Sequence, residues 1–264
     1  MLINLVFIVI FMENVELIEK EKSIDTKVMT GSRDLNVWLD GGYEKGIITL
    51  FYGPAASGKS NFVTLASCHC AKKDKKILFI DTEGSFSVDR VKQISGGIPE
   101  MILKNVIILR PNSFLEQKHA FLKLEKESKS KNVGLIVVDS MTMFYRLDLA
   151  EARKRGIFEI QRVNADLAKQ MKCLYEIARK RDIPVLITSP VYSDFLSEEE
   201  WLKGKEGKVN VVGGDILRYW SKCLIELQNK NGKKKAVLRK HRSLPETELN
   251  FVIINEGIMK RGWI

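Results

Sequence analysis

Short apolar runs alternate with longer, charge-rich segments through the middle of this chain. The apolar runs cover residues 47–52, 77–81, 106–109, 134–139 and 184–188. Between them, residues 113–131 and 151–181 carry apolar side chains at helical spacing, for example Ile157, Ile160, Leu167, Met171 and Leu174. Apolar strands that alternate with amphipathic helices predict βαβ units and a parallel sheet that is buried on both faces.

The pattern changes after Trp220. Three strand-like runs, at 223–227, 236–239 and 249–254, follow without helices between them. Asn231-Gly232 supplies a typical two-residue hairpin turn between the first two runs. We therefore predict an α/β fold with a mostly parallel central sheet flanked by helices and a C-terminal antiparallel extension. No repeat or linker divides residues 23–264, which we interpret as one domain.

Residues 1–22 form an N-terminal extension in this interpretation. Residues 1–12 are apolar except Asn4, and this run is shorter than the roughly 20 residues that span a bilayer. The run also lacks the preceding basic residues and the following small-residue cleavage site of a signal peptide. It either packs on the domain or a partner, or is absent from the cell because translation starts at Met12. The abrupt change to polar residues at Glu13 slightly favours the second interpretation.

Charge and cysteine content narrow the class of protein. The 264 residues include 43 Lys and Arg against 33 Asp and Glu, a formal net charge of +10. This excess fits an anionic partner such as nucleic acid, although a basic proteome gives the same value. Four cysteines are too few for a disulfide scaffold, and Cys68-His69-Cys70 lies in a predicted helix without a second pair to complete a zinc site. We expect free thiols, a cytoplasmic location and no membrane attachment.

The most informative motif follows the first apolar strand. Gly53-Pro54-Ala55-Ala56-Ser57-Gly58-Lys59-Ser60, followed by Asn61, matches the phosphate-loop pattern G-x-x-x-x-G-K-[ST] in full. Glycines let the backbone form an anion-binding nest, and the helix that follows points its N-terminus at the phosphates. We assign residues 53–61 to ATP binding, with Lys59 reaching the β- and γ-phosphates and the Ser60 hydroxyl bound to Mg²⁺.

Two carboxylates complete the predicted site. The strand 134–139 ends in Asp139, which can hold Mg²⁺ through water. Glu83, in Asp81-Thr82-Glu83-Gly84, follows another strand at the edge where open α/β sheets bind ligands, and we predict that it is the catalytic base. The alternative is a helix-capping role for Glu83 before a helix at 85–95. Asp81 is interpreted as a strand-end residue or a neighbour of the metal.

Other short motifs occur in order around this loop. They are Thr30-Gly31-Ser32, Leu35, Leu39, Gly41-Gly42, Asp81-Thr82-Glu83-Gly84, Asp139-Ser140, Phe144-Tyr145-Arg146-Leu147-Asp148, Gly213-Gly214 and Leu244-Pro245-Glu246. This ordered set resembles the ATPase core of the RecA/RadA recombinase family, and its archaeal paralogues in particular, over residues 23–264. The resemblance implies a RecA-like P-loop ATPase core, ATP and Mg²⁺ as cofactors, and an archaeal role in DNA repair and homologous recombination.

The resemblance also implies an accessory role. Such paralogues bind ATP and DNA, hydrolyse ATP weakly with little stimulation by DNA, and do not exchange strands themselves. The implied partners are single-stranded or branched DNA, the main RadA-type recombinase, a junction resolvase and further copies of the chain.

Three departures from the strand-exchanging relatives agree with this weaker role. Too few residues precede Thr30 for a helix-hairpin-helix domain, and the chain carries no F-x-x-A polymerisation tetrapeptide. Ser189-Pro190 stands where active recombinases carry Asn-Gln. Because Pro190 has neither a side-chain amide nor a backbone N–H, it cannot donate the hydrogen bond that senses the γ-phosphate.

By the same resemblance, two loops are expected to face DNA. The first follows Asp148 and contains Arg153, Lys154 and Arg155, which we interpret as a basic turn. The second covers residues 191–212, where we expect Lys203, Lys205 and Lys208 to contact DNA, whereas the acidic run 198–200 disfavours contact. Trp201 in this loop could stack on a base, but a lone tryptophan more often packs against its own protein.

The basic residues near the C-terminal strands have two interpretations. Lys240 and Arg242 precede Leu244-Pro245-Glu246, where several RecA-like ATPases place a finger that reaches the nucleotide of a neighbouring subunit. Strand alternation would put both on one side and His241 on the other. The alternative is a pair of solvated charges at a strand end. Lys233, Lys234 and Lys235 are interpreted as a solvated hairpin tip.

Three other functions remain open from the sequence. A P-loop phosphotransferase predicts an arginine-rich lid, and the motifs at 30–32 and 244–246 argue against it. A KaiC-like signalling ATPase shares the finger motif but usually has tandem domains, whereas this chain has one phosphate loop. A binding module that uses ATP as a structural ligand is kept open by Ser189-Pro190.

Overall fold

The computed structural model describes residues 26–193 and 209–262. Its strands are β1 (Lys27–Val28), β2 (Tyr43–Glu44), β3 (Ile48–Gly53), β4 (Lys76–Asp81), β5 (Val106–Leu109), β6 (Val133–Asp139), β7 (Val185–Ser193), β8 (Val209–Val211), β9 (Cys223–Lys230), β10 (Lys233–Lys240), β11 (Thr247–Ile254) and β12 (Gly257–Lys260). Its helices are α1 (Arg33–Trp38), α2 (Lys59–Lys72), α3 (Val88–Ser95), α4 (Glu100–Leu103), α5 (Phe114–Glu127), α6 (Met143–Arg155), α7 (Ile157–Arg181) and α8 (Gly214–Trp220).

The central sheet follows the order β12-β11-β10-β9-β3-β7-β6-β4-β5, and β8 pairs with the end of β7. The strands from β9 to β5 in this order run parallel to one another. β10, β11 and β12 continue the sheet as an antiparallel ladder beside β9. Asn231 and Gly232 form the turn between β9 and β10, with φ of +51° and +77°. The predicted α/β fold with its antiparallel C-terminal extension is confirmed.

Helices cover both faces of the sheet, as its continuous apolar strands require. On one face, the ring of Phe62 from α2 lies 5.3 Å from that of Phe51 and 5.1 Å from that of Phe251, measured between centroids. On the other face, Leu50 belongs to a second buried cluster that includes side chains of α5, α6 and α7. Full burial of a side chain of this size stabilises the fold by about 1.5–3 kcal/mol. The strand ends that carry the site are therefore held by a core on each side.

The helical segment predicted at 151–181 is divided in two. Gly156, with φ of +109°, separates α6 from α7, and no atom lies within 4 Å of a Cβ placed on it. α3 begins at Val88 rather than at Ser85, because the Ser87 hydroxyl accepts a hydrogen bond from Arg90 N and caps the helix there.

The connection predicted as an irregular loop at 191–212 has ordered ends. β7 continues through Pro190 to Ser193 and pairs with β8, with Val191 opposite Val211. Residues 194–208 and the N-terminal extension at 1–22 lie outside the described residues, so the extension stays a prediction. Within the described ranges, no helix is long and apolar enough to cross a membrane.

Candidate functional site

The phosphate-loop motif lies between β3 and α2, as its pattern predicts. β3 ends at Gly53, where a Cβ would lie 2.1 Å from the carbonyl oxygen of Leu227, so a side chain would clash with the backbone of β9. Gly58 precedes α2 with φ of +108°, and no side chain caps the helix there. The first N–H groups of an α-helix have no partner in the regular helical pattern, so those of Lys59 and Ser60 are available to an anion. Asn61 N donates to the carbonyl oxygen of Gly58 at 2.9 Å.

Lys59 is bonded to its own loop. Its Nζ donates to the carbonyl oxygens of Gly53 and Pro54, both at 2.9 Å. Burial lowers the pKa of Lys59, and the charges of Glu83 and Asp139 act in the opposite direction. A phosphate would supply this ammonium group with the full negative charge that the two carbonyl oxygens lack. The buried hydroxyl of Ser57, in the same loop, has no hydrogen-bond partner.

Asp139 is buried at the end of β6, directly opposite Asp81 at the end of β4. Its two carboxylate oxygens accept hydrogen bonds from different hydroxyl groups, one from Thr188 and one from Ser85 at 2.5 Å. These bonds fix the carboxylate at the end of β6, beside the middle of β7. Thr188 was not predicted as a site residue, although it is the last residue of the apolar run 184–188 and hence falls at the same sheet edge.

Asp81 and Glu83 have different surroundings. Asp81 accepts hydrogen bonds from the backbone N–H groups of Ser85 at 2.8 Å and Phe86 at 3.2 Å, and thereby stabilises the turn after β4. Glu83 is exposed in that turn, and its charge acts on Lys59. Since Ser87 caps α3, the alternative capping role for Glu83 is wrong.

The residues at this edge fit a nucleotide and a hydrated Mg²⁺. The loop and α2 offer backbone N–H groups to phosphates, and Ser60 and Asp139 offer oxygen ligands, which Mg²⁺ prefers. No group of three or more His, Cys, Asp or Glu in the described ranges could form a metal cage. Mg²⁺ bound beside phosphates usually keeps several waters and needs one or two protein carboxylates.

One of the hairpin lysines contacts the phosphate loop. Lys234 Nζ donates to the carbonyl oxygen of Ala56, so its assignment to a solvated hairpin tip is wrong. Lys235 lies 2.9 Å from the carboxylate of Glu248, and Lys233 is exposed. The three lysine side chains therefore have three different environments.

The first predicted DNA contact is helical. Arg153, Lys154 and Arg155 form the last turn of α6 rather than an irregular turn, and Lys154 pairs with Glu151 at 2.8 Å. The helix ends there because Gly156 leaves the helical conformation. Phe158, the second residue of α7, is 83% exposed. Lys203, Lys205, Lys208 and Trp201 lie outside the described residues.

Ser189 is fully buried, and its hydroxyl contacts other groups of the same chain. It lies 2.9 Å from the hydroxyl of Thr142 and 3.0 Å from the carbonyl oxygen of Val212. Val212 N in turn donates to the carbonyl oxygen of Pro190 at 3.1 Å. These bonds join the end of β7 to the returning end of the 191–212 connection.

The alternation expected for Lys240 and Arg242 is wrong, because β10 ends at Lys240. Beyond it, His241 and Arg242 both face Glu44: Arg242 Nε lies 2.7 Å from one carboxylate oxygen, and His241 Nε2 lies 3.6 Å from the other. Lys240 Nζ donates to the carbonyl oxygen of Ser221 at 3.0 Å. These groups lie at the amino edge of the parallel strands, so they could reach a nucleotide only in another copy of the chain.

Comparisons with known proteins agree with this arrangement. The model of the Rad51 family matches residues 21–261. A DNA repair and recombination protein RadB from Methanococcoides burtonii is 39% identical over 239 residues, which is 90% of this chain and 99% of that protein. Its namesake from Methanobrevibacter smithii is 38% identical, over 88% and 95% of the two chains. A crystal structure of the RadB recombinase superposes with a TM-score of 0.71 at 33% identity, and the match covers 89% of this chain and 100% of that one.

Proposed function

Because this chain belongs to the Rad51 family and, within it, to the RadB group of DNA repair and recombination proteins, we propose that it is an ATP- and DNA-binding accessory protein of homologous recombination. Its action is to modulate the main RadA-type recombinase or the processing of branched DNA. The observation that carries this proposal is the convergence of the phosphate loop, Lys59 and Asp139 at one edge of the sheet.

ATP would bind with its phosphates against residues 53–61. Lys59 would exchange its two carbonyl partners for phosphate oxygens, and the Ser60 hydroxyl together with Asp139, through water, would hold Mg²⁺. The hydroxyl groups of Thr188 and Ser85 keep the Asp139 carboxylate in place for this task. Bound Mg²⁺ would neutralise the charge of the β- and γ-phosphates.

Hydrolysis requires a group that orients or deprotonates the attacking water, and we assign this role to Glu83. We expect turnover to be slow and little affected by DNA. The reason is that the Ser189 hydroxyl is held by Thr142 and Val212, while Pro190 has no N–H to donate. In this proposal, neither residue passes the state of the nucleotide on to the 191–212 connection.

DNA binding is assigned to Arg153, Lys154 and Arg155, together with Lys203, Lys205 and Lys208. Contacts of this kind are to phosphates and carry little sequence information. Homo-oligomerisation would bring Lys240 and Arg242 to the nucleotide of a neighbour, provided that Arg242 leaves Glu44. A junction resolvase is a further proposed partner.

The second candidate function is a binding module that uses ATP as a structural ligand. The buried Ser189, whose hydroxyl is bonded to Thr142 and Val212, favours this function. ATP turnover measured with and without single-stranded DNA, beside a DNA-binding titration, separates the two. We expect tight DNA binding with slow turnover that DNA barely changes. Strong stimulation by DNA would contradict the role given to Ser189-Pro190, and the absence of any turnover would favour the structural ligand.

Two variants refine this experiment. Replacing Ser189-Pro190 with Asn-Gln should raise the dependence of turnover on DNA. Thr188→Val removes one donor to Asp139 and should weaken Mg²⁺-dependent turnover about tenfold, whereas Thr188→Ser keeps the donor and should stay near the parent. Equal turnover in both Thr188 variants would contradict the proposed support of Asp139.

A further inference from the structure

The hairpin formed by β9 and β10 reaches beyond the parallel sheet and covers the phosphate loop. The last pair between β3 and β9 joins Tyr52 to Glu226, whereas β9 continues to Lys230. At about 3.3 Å per residue, the hairpin therefore extends roughly 13 Å past the end of this pairing. It has the length needed to lie along the loop that leaves β3.

The hairpin and its neighbour β11 pack directly on both ends of that loop. The backbone of Leu227 is so near Gly53 that a Cβ would approach its carbonyl oxygen to 2.1 Å. At the other end, a Cβ on Gly58 would lie 3.3 Å from the Cδ1 atom of Ile253. The antiparallel extension is thus an outer wall of the phosphate loop.

Between these two points, two side chains of the hairpin donate hydrogen bonds to one backbone carbonyl group of the phosphate loop. The carbonyl oxygen of Ala56 accepts hydrogen bonds from Lys234 Nζ and, at 3.4 Å, from Asn229 Nδ2. Lys234 and Asn229 face each other across the two strands, so both donors come from one level of the hairpin. Ala56 itself has φ of +58°, a conformation that a residue with a Cβ adopts when its surroundings hold it there.

We propose that Lys234 is a positioning residue for the phosphate loop. By holding the Ala56 carbonyl oxygen toward the hairpin, it keeps the Ser57 N–H of the same peptide plane turned away from the hairpin and into the loop, where it donates to the carbonyl oxygen of Pro54 at 3.3 Å. A phosphate would replace that carbonyl oxygen as the acceptor. The proposal rests on ATP binding at residues 53–61. Lys235 carries the same charge one residue further along but contacts Glu248 instead, so it supplies a matched control.

Hydrogen exchange on the free protein tests the contact without any nucleotide. Lys234→Ala should speed the exchange of the amides of residues 56–60 by about fivefold, the effect of losing one net hydrogen bond, while the amides of the core strands stay protected. Lys235→Ala should leave the loop unchanged, and Lys234→Arg, which keeps a donor, should stay near the parent. Unchanged loop exchange in Lys234→Ala, or an equal effect in Lys235→Ala, would overturn the proposal.

Binding of a fluorescent ATP analogue gives the functional readout. Lys234→Ala should weaken affinity by about fivefold. The loss should shrink in an Ala56→Gly background, because glycine adopts a positive φ without being held. Equal losses in both backgrounds would overturn the positioning role. If the parent protein bound no ATP, the proposed function would fail, and the exchange measurement would still decide whether Lys234 orders the loop.

Discussion

At the carboxyl edge of the central sheet, the ammonium group of Lys59 is bonded to two carbonyl oxygens of its own loop, whereas at the amino edge the guanidinium group of Arg242 lies against the buried carboxylate of Glu44. A carbonyl is a neutral partner that a phosphate can replace with a gain of charge–charge attraction. A carboxylate already supplies a full charge. Similar cations are therefore available to a ligand at one edge and neutralised within the chain at the other.

Two identical basic triplets end consecutive helices and differ in their surroundings. Arg153-Lys154-Arg155 ends α6, and Arg179-Lys180-Arg181 ends α7. Each lysine pairs with a glutamate of its own helix, Lys154 at 2.8 Å from Glu151 and Lys180 at 3.2 Å from Glu176. In the second triplet, Arg179 also lies over the ring of Tyr175, at 5.9 Å from its centroid. The first is followed by Gly156 and the exposed start of α7. Local sequence is the same, so position in the fold distinguishes the two.

The largest expected effect is at the carboxyl edge. Lys59→Ala should weaken ATP binding at least about a hundredfold, because it removes charge-assisted hydrogen bonds to the phosphates. Lys240→Ala removes a cation from the amino edge and should leave the ATP affinity of the isolated subunit unchanged. Calorimetric titration of both variants, with circular dichroism to check the fold, compares the edges directly. Parent-like affinity in Lys59→Ala would contradict the assignment of the phosphate loop.

The next effect separates the two triplets. Neutralising Arg153, Lys154 and Arg155 should reduce the salt dependence of DNA binding by about two to three units of the log–log slope, since each phosphate contact contributes about 0.7–0.9 through counterion release. Neutralising Arg179, Lys180 and Arg181 removes the same charge and should leave the slope near its parent value. Fluorescence anisotropy over a salt series measures both slopes. An equal reduction in the two triple variants would mean that overall charge, rather than the end of α6, binds DNA.

A smaller effect tests whether the contact between Arg242 and Glu44 stabilises the fold. Arg242→Ala leaves the buried Glu44 carboxylate without its closest cation, and solvent screening of the half-exposed guanidinium limits the loss of stability to about 1 kcal/mol. Urea unfolding should record this loss, and the same substitution in a Glu44→Gln background should cost less. An unchanged free energy of unfolding would instead leave Arg242 free to serve a neighbouring subunit.

The smallest expected effect is a pH dependence at the same cluster. Burial lowers the pKa of His241 below its ordinary value of 6.5, Lys27 and Arg242 lower it further, and Glu44 opposes them. Its Nδ1 accepts hydrogen bonds from the N–H groups of Ser243 and Leu244, at 3.2 and 3.1 Å, which requires a ring unprotonated at Nδ1. Because the unfolded chain takes up a proton first as the pH falls, this contribution to stability is complete above about pH 6.5 and is lost below it.

His241→Asn keeps a short acceptor for these N–H groups and removes the titration. Unfolding free energies between pH 5 and 8 should therefore fall less steeply at the acid end in the variant than in the parent. His69, whose pKa burial also lowers, is present in both proteins and cancels in the comparison. Parallel curves would show that His241 keeps an ordinary pKa.

The phosphate loop and Asp139 could be predicted because each is a local pattern: a strand, then a loop of fixed composition or a terminal carboxylate. The parallel sheet followed from the same apolar runs. The break at Gly156 was also visible as a glycine, but residues 153–155 before it are basic and carry no apolar periodicity, so their place in the last turn of α6 could not be predicted. β12 and the β1–β2 pair are too short for periodicity to detect.

The supporting contacts could not be predicted, since each joins residues far apart in sequence. Thr188 meets Asp139 because β6 and β7 are neighbours, and Lys234 meets Ala56 because the hairpin overhangs β3. The failure at Arg242 has a different cause. Alternation with period two holds only within a strand, and the strand ends at Lys240.

The pairing of β7 with β8, closed by the bonds between Pro190 and Val212, bears on the evolution of this part of the chain. The ladder pairs Ser193 with Val209, so its own hydrogen bonds close the connection between these two residues. The entropy of closing such a segment grows only logarithmically with length, so doubling it costs about 0.6 kcal/mol. The sheet should therefore tolerate insertions and deletions at 194–208, so the lysines assigned to DNA in this segment, rather than the stability of the fold, limit how far its sequence can diverge.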